Sequence, residues 1–404
     1  MSESFSLRHW VVRLLSGKVL LERDGFPSVE ELRLEVAEQL TIPASRVQLV
    51  SNDGVILEKG VHAALKEESE SSLHAIVLKA PQAIVAERGG LLSLWDLSAM
   101  QRTSLLYELQ EAITAISADA TANRVMLGTA QGILRLYDRD RAMWLESVQA
   151  HEGAVLSLQA LFDVGCAVSG EDCIDCLVKV WDIADGCIKC VQSLAGHTDA
   201  VRAVDVDFGA HLVASASDDT TVRLWRTRAD GDAHIASLRG HELWVNAVCL
   251  QAEARRVLSA SRDGTVRVWD IDRRLCLHIL QPQHLPGESL RETLPACVAL
   301  GGGPRTALMG LAACPKSGMV MASDTRGSLH FWNLRTLLYE GAFKCTSARC
   351  FYGRVHADFS TGRALVDFDP LLFLVDINAR EVLSVSEPLR PDAGWIPCCW
   401  DVSH

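Results

Sequence analysis

Short runs in which apolar and polar residues alternate recur along most of this chain, the pattern of strands with one buried face. Seven of these runs end alike, in a large apolar residue followed by a polar one: LLSLWDL at Trp95, LRLYD at Tyr137, VKVWDI at Trp181, VRLWR at Trp225, VRVWDI at Trp269, LHFWNL at Trp332 and LFLVDI at Val375. The steps between these end residues are 42, 44, 44, 44, 63 and 43 residues. One structural unit therefore repeats, and each copy buries its faces against its neighbours. Residues 1–80 do not follow that rhythm. There HWVVRLLSGKVLLERDG alternates around a Ser16–Gly17 turn and predicts a β-hairpin. Val29, Leu32, Val36 and Leu40 then recur at helical spacing behind a Ser28 cap. RVQLV, a turn at Asn52–Gly54 and SSLHAIVLK complete the order ββαβ…β.

Polar positions inside the repeats keep an equally strict spacing. His151, His197 and His241 are each followed after 18 residues by a serine, Ser169, Ser215 and Ser259. Asp175, Asp219 and Asp263 each stand six residues before Trp181, Trp225 and Trp269. Polar groups inside a buried sheet need one another as hydrogen-bond partners. The interval from His to Trp is 28 residues for His197–Trp225 and His241–Trp269 but 30 for His151–Trp181, so two extra residues fall between Ser169 and Asp175. These positions resemble the structural His, Ser, Asp and Trp tetrad of the WD-repeat family. The resemblance covers residues 81–404 and implies an all-β, seven-bladed propeller. The repeats ending at Trp95, Tyr137, Trp332 and Val375 lack a complete tetrad, and their blades are expected to rely on apolar packing. The first repeat offers only QAIVAE and LLSLWDL up to Trp95. Its missing strand is expected from WIPCCWDV, Trp395–Val402, which would close the ring and leave no open sheet edge. The long step hides an insertion near His284–Pro304, rich in Pro and Gly.

The order of elements in residues 1–80, with TIPASRVQLV after the helix and ESSLHAIVL at the end, resembles ubiquitin. That likeness implies an α+β domain of the ubiquitin-like (β-grasp) class ahead of the propeller. By the same resemblance Leu15, Val50 and Ile76, with His74 beside them, match ubiquitin's apolar recognition patch. They either bind a partner or pack on the propeller. Arg88-Gly89-Gly90 is similar to ubiquitin's terminal residues but lies inside the first repeat, where a turn is expected and conjugation is not.

Composition narrows the function. The chain has 404 residues with 39 basic and 51 acidic side chains, a formal charge of −12, which argues against a broad electrostatic grip on nucleic acid or an anionic membrane. The first residues lack a secretory layout, and no apolar run is long enough to cross a bilayer. A soluble protein of the cytoplasm or nucleus is expected, with its 13 cysteines mostly reduced. Cys173 with Cys176, and Cys187 with Cys190, have the pairwise spacing of a four-thiolate zinc site. The repeat places the two pairs toward opposite ends of one hairpin, on the order of 10 Å or more apart. One ion about 2.3 Å from each sulfur cannot bridge that distance, so no metal is expected. There is no phosphate loop, nucleophile elbow or paired-His helix, and neither a catalytic residue nor a cofactor is expected.

Binding residues are expected on the face around the central channel. Trp244 stands just before a repeat's first strand, where sister repeats carry Ala154 and Ala200, and Arg262 stands beside the following turn. Both residue types are enriched at interaction hot spots. Asp218 holds the pre-turn position of its own repeat. The expected function is a protein-binding scaffold or adaptor with protein or peptide partners. One version, implied by resemblance, is a substrate receptor of a cullin-type ubiquitin ligase, whose family motif is WD-x-Arg. Arg228 follows Trp225 and Arg335 follows Trp332 at that spacing, with Arg226 and Asn333 in place of the Asp. A second version resembles ribosome-assembly factors that join a ubiquitin-like head to a propeller. A regulatory subunit or an enzyme is the rival of another class.

Overall fold

The computed structural model describes residues 9–14, 18–24, 29–40, 47–51, 70–77, 82–87, 89–97, 99–119, 123–172, 174–227, 233–282, 306–347, 350, 353–368, 371–386 and 395–401. The chain divides into two compact units, one built chiefly on Met1–Pro81 and the other on Gln82–Trp95 and Met100–Val402.

In the first unit β1 (His9–Leu14), β2 (Val19–Asp24), α1 (Val29–Leu40), β3 (Val47–Ser51) and β4 (Glu70–Val77) follow one another. The sheet order is β2-β1-β4-β3, with β1 and β4 parallel at the centre and both outer pairs antiparallel. A parallel pair cannot be joined by a tight turn and needs a crossover, and α1 lies in that connection. Leu32 and Val36, one turn apart on α1, are buried with Val12, Leu20, Val47 and Leu49. Arg33 Nε donates to the Val47 carbonyl at 3.1 Å and ties the helix to β3. Ser28 and the turns at Ser16–Gly17 and Asn52–Gly54 lie outside the described residues.

The second unit is a seven-bladed propeller, each blade a four-stranded antiparallel sheet. Its strands are lettered a to d outward from the channel. Strand a is Ile113–Asp119 in blade 2, Val155–Leu161 in blade 3, Val201–Asp207 in blade 4, Val245–Gln251 in blade 5, Leu308–Ala313 in blade 6 and Val355–Asp358 in blade 7. In blade 1 strand a is Trp395–Asp401, which pairs antiparallel with Gln82–Glu87, Cys398 opposite Val85 and Trp400 opposite Ala83. The far end of the chain therefore completes the blade that begins the unit.

Blades are held together by apolar side chains that reach backward. Trp225 of blade 4 is buried among Val168, Val178 and Val180 of blade 3. Trp269 packs in the same way on Leu224 and Ala214 of blade 4, and Trp332 on Leu258 and Val268 of blade 5. Val375, where the aromatic is missing, still sits among Leu329 and Phe331 of blade 6, with Phe373 filling the volume. Loss of a buried indole of this kind typically costs about 3–5 kcal/mol. Strands b carry small residues where neighbouring blades meet. A Cβ on Gly128 would come within 2.6 Å of Val155, and one on Gly170 within 2.6 Å of Val201. No helix among the described residues is long and apolar enough to cross a membrane.

Candidate partner-binding face

Blade 4 shows how its polar residues hold the loops that frame the channel. Trp225 Nε1–H donates to Ser215 Oγ at 2.8 Å, Ser215 Oγ lies 2.7 Å from His197 Nε2, and His197 Nδ1 lies 2.7 Å from Asp219 Oδ2. Asp219 also accepts the backbone N–H of Thr198 and both the N–H and hydroxyl of Thr221. Blade 5 repeats the chain through Trp269, Ser259, His241 and Asp263, each step 2.8 Å. Burial lowers the His197 pKa against the pull of Asp219. The neutral ring accepts the Ser215 proton at Nε2 and donates its own from Nδ1. Burial alone would raise Asp219 and Asp263, but donation from the histidine and from Thr221 or Thr265 outweighs it and holds both well below the usual carboxylate range.

Blade 3 differs from the expected pattern. Asp175 is exposed on its loop, and Glu171 takes its place against His151, with Oε2 3.1 Å from Nδ1 and Oε1 accepting the Gly153 N–H at 2.6 Å. Glu171 is the last residue of strand b (Cys166–Glu171), where blades 4 and 5 carry Ser217 and Ser261. The longer side chain spans from the strand end to the histidine, and the two extra loop residues carry Asp175 away. Ser169 still receives Trp181 Nε1–H at 2.8 Å and lies 2.6 Å from His151 Nε2. Burial pushes His151 down to about 3 and Glu171 upward. Blade 6 solves the same problem without a loop histidine. His330 on strand c (Ser328–Asn333) bridges Asp324 and Tyr339 at 3.0 Å each, and Asp324 accepts the N–H groups of Arg326 and Ser328. Asp324 ends strand b just as Glu171 does. The spacing of the repeats does not announce this network, because its histidine lies on strand c and its acid at the end of strand b rather than six residues before the tryptophan.

At the channel mouth a single backbone bond recurs. In blades 2 to 6 the residue after strand b donates its N–H to the carbonyl of the residue before strand a: Ala130 to Ala112, Asp172 to Ala154, Asp218 to Ala200, Arg262 to Trp244 and Thr325 to Ala307. In blade 7 Asp367, inside strand b (Arg363–Phe368), donates its N–H to the Arg354 carbonyl. The position before strand a is thus alanine in four blades, Trp244 in blade 5 and Arg354 in blade 7. Trp244 is 39% exposed. Two guanidiniums stand over its ring, Arg262 at 4.4 Å and Arg202 at 5.3 Å from the centroid. Arg202 is fastened to Asp218, its Nε 2.9 and 3.0 Å from the two carboxylate oxygens. Asp218 was expected to face a partner; instead it is buried and committed to Arg202. Arg354 reaches across the channel, donating from Nη2 to the Leu156 carbonyl of blade 3 at 3.3 Å. Among the described residues the Arg262 guanidinium has no ion pair or hydrogen bond. These side chains open onto a channel cavity of about 690 Å³.

Residues 188–226 and 233–270 match the family model of the WD domain, G-beta repeat. WD40 repeats are thus present in the propeller, at blades 4 and 5 and the outer part of blade 3. A nuclear distribution protein PAC1 from Zygosaccharomyces rouxii is 30% identical over 147 residues, 32% of this chain and 32% of that protein. A DDB1- and CUL4-associated factor 11 homolog from Caenorhabditis elegans is 39% identical over 121 residues, 29% of this chain and 21% of its own length. The matched stretch therefore spans a third or less of either relative. The crystal structure of a computationally designed protein, Ika8, aligns with a TM-score of 0.54 at 22% identity over 72% of this chain and 78% of that one, a likeness of fold alone.

The other sequence-derived positions fall apart in space or outside the described residues. Arg335 is exposed after strand c of blade 6, its guanidinium turned onto the Lys316 carbonyl. Arg228 lies outside the described residues. In the first unit Val50 is paired with His74 and Gln48 with Ile76; the side chains of Val50, His74 and Ile76, and all of Leu15, lie outside them. Cys176 is buried before the hairpin in which Val178 pairs with Leu194, and Cys187 and Cys190 are exposed at its other end, where Cys190 pairs with Trp181. Cys173 is not among the described residues. Among those that are, no cluster of His, Cys, Asp or Glu is placed to hold a metal ion.

Proposed function

We propose that this chain is a non-enzymatic protein-binding scaffold or adaptor, gripping a protein partner at the channel mouth around Trp244 and Arg262. One observation carries this reading. A half-exposed tryptophan stacked on arginine occupies a position that four sister blades fill with alanine, so the fold does not require it there. Truncating an anchor of this type typically costs at least about 2 kcal/mol of binding, roughly thirtyfold in affinity. Affinity recovery of partners by the full chain, followed by mass spectrometry, tests it. Trp244→Ala and Arg262→Glu together should release the propeller's main partner with an unchanged melting temperature. Full recovery by the doubly substituted, folded chain places the contact elsewhere.

A finer reading makes the protein a substrate receptor in a ubiquitin ligase. The likeness to a protein named DDB1- and CUL4-associated factor 11 homolog supports it, with Arg228 and Arg335 as the adaptor contacts. Ligase components must then be among the recovered partners. Residues 1–80 serve in this proposal as a ubiquitin-like head, separate from a propeller at 81–404, with Leu15, Val50, His74 and Ile76 as its contact patch. The parallel pairing of β1 and β4 around α1 supports that assignment.

A further inference from the structure

We propose that the channel mouth receives an acidic peptide segment of the partner, one carboxylate forking onto the Arg262 guanidinium above the Trp244 ring. This rests on the binding-face reading just given and adds the chemistry of what binds. The chain carries a net charge of −12, yet the described residues lining the channel cavity include Arg202, Arg262 and Arg354 and no aspartate or glutamate. Two of these cations are already engaged, Arg202 by Asp218 and Arg354 by the Leu156 carbonyl. Of the three, Arg262 keeps its fork of donors free, and the indole ring 4.4 Å away restrains its position. A planar guanidinium matches a carboxylate with two parallel hydrogen bonds, which a point-charge ammonium cannot do.

The balance of charge selects the ligand. The one guanidinium with its whole fork free suits one carboxylate, whereas a phosphate group brings about −1.5 to −2 and calls for more free donors than that single fork offers. The cavity, about 690 Å³, accommodates a few side chains of an extended loop or chain end rather than a folded domain. The Trp244 ring, 39% exposed, provides an apolar surface beside Arg262. The preferred segment therefore pairs an acidic residue with a large apolar neighbour.

The test uses the full chain and fluorescein-labelled nonapeptides carrying a central Leu-Glu pair among Gly and Ser, with Leu-Gln and Leu-phosphoserine counterparts, read by anisotropy at low and high salt. The Glu peptide should bind, and its affinity should fall with salt. The Gln peptide should be weaker by about tenfold or more. Arg262→Gln should impose the same loss at an unchanged melting temperature, and Arg262→Lys should restore part of it. Absence of Glu-peptide binding, equal binding of Glu and Gln peptides, or a preference for the phosphoserine peptide overturns the proposal. Partner recovery from extract separates it from the binding-face reading. A partner lost with Trp244→Ala but kept with Arg262→Gln overturns the acidic chemistry alone; a partner kept by both overturns the face as well.

Discussion

One methylene separates glutamate from aspartate, and in blade 3 it lets an acid at the end of strand b do what a loop aspartate does in blades 4 and 5. Glu171 accepts from both His151 and Gly153 inside a fully buried site. Shortening it should break both contacts together. Glu171→Asp is expected to lower stability by about 2 kcal/mol or more, whereas Asp175→Ala, at an exposed position, should stay within about 0.5 kcal/mol; urea midpoints at constant m compare the two. The sequence named the histidine, serine and tryptophan of this blade because their spacing follows the strands. It misplaced the acid because loop length is free to vary while the demand of the buried His151 nitrogen for a partner is not. Asp205 is a second residue whose role lay hidden. It accepts the Leu250 N–H of the next blade at 2.6 Å and the Val206 N–H at 2.8 Å, and burial, outweighing these donors, pushes its pKa up to about 6. A folded-state value above the unfolded one means the native state binds this proton more tightly. Its contribution is thus full below about pH 4, declines as pH rises and is gone above about pH 6. Asp219 and Asp263 act in the opposite sense, stabilising fully above the ordinary carboxylate range and losing that effect as pH falls below it toward their own depressed values. Replacing Asp205 by Asn should remove a component on the order of 2 kcal/mol from the difference in unfolding free energy between pH 4 and pH 7; chemical denaturation of both proteins across that range measures it.

At the scale of elements, the repeat rhythm was readable because each strand c must end in a residue that fills the preceding blade, and only a large apolar side chain does so. The incomplete first repeat was readable for a related reason: two strands before Trp95 leave a sheet with an unpaired edge. The pairing of Trp395–Asp401 with Gln82–Glu87 supplies the missing strand. A chain ending at Ser386 should therefore lose the whole ring's cooperative transition, with a lower melting temperature and aggregation through the exposed strand. Melting like the full chain would mean that blade 1 is dispensable. What could not be read along the sequence is contact between blades. Nothing in the spacing tells that Arg202 of blade 4 will lie over Trp244 of blade 5, or that Arg354 will cross to a carbonyl nearly two hundred positions earlier. The ring brings those residues together, and their separation along the chain carries no periodic signal.

For the whole molecule, the joining of the unit's two ends in blade 1 has a consequence in time. Glu87 and Trp395 are separated by roughly 310 residues, and bringing such ends together costs on the order of 5 kcal/mol of chain entropy before any contact repays it. A ribosome adding about 5–20 residues per second releases Gln82–Glu87 roughly 15–60 s before its partner strand exists. Throughout that interval the nascent protein is an open crescent of growing length, its first strand a bare template for any extended segment nearby. The vulnerability belongs to synthesis rather than to the finished ring. It ends only when the last strand is made.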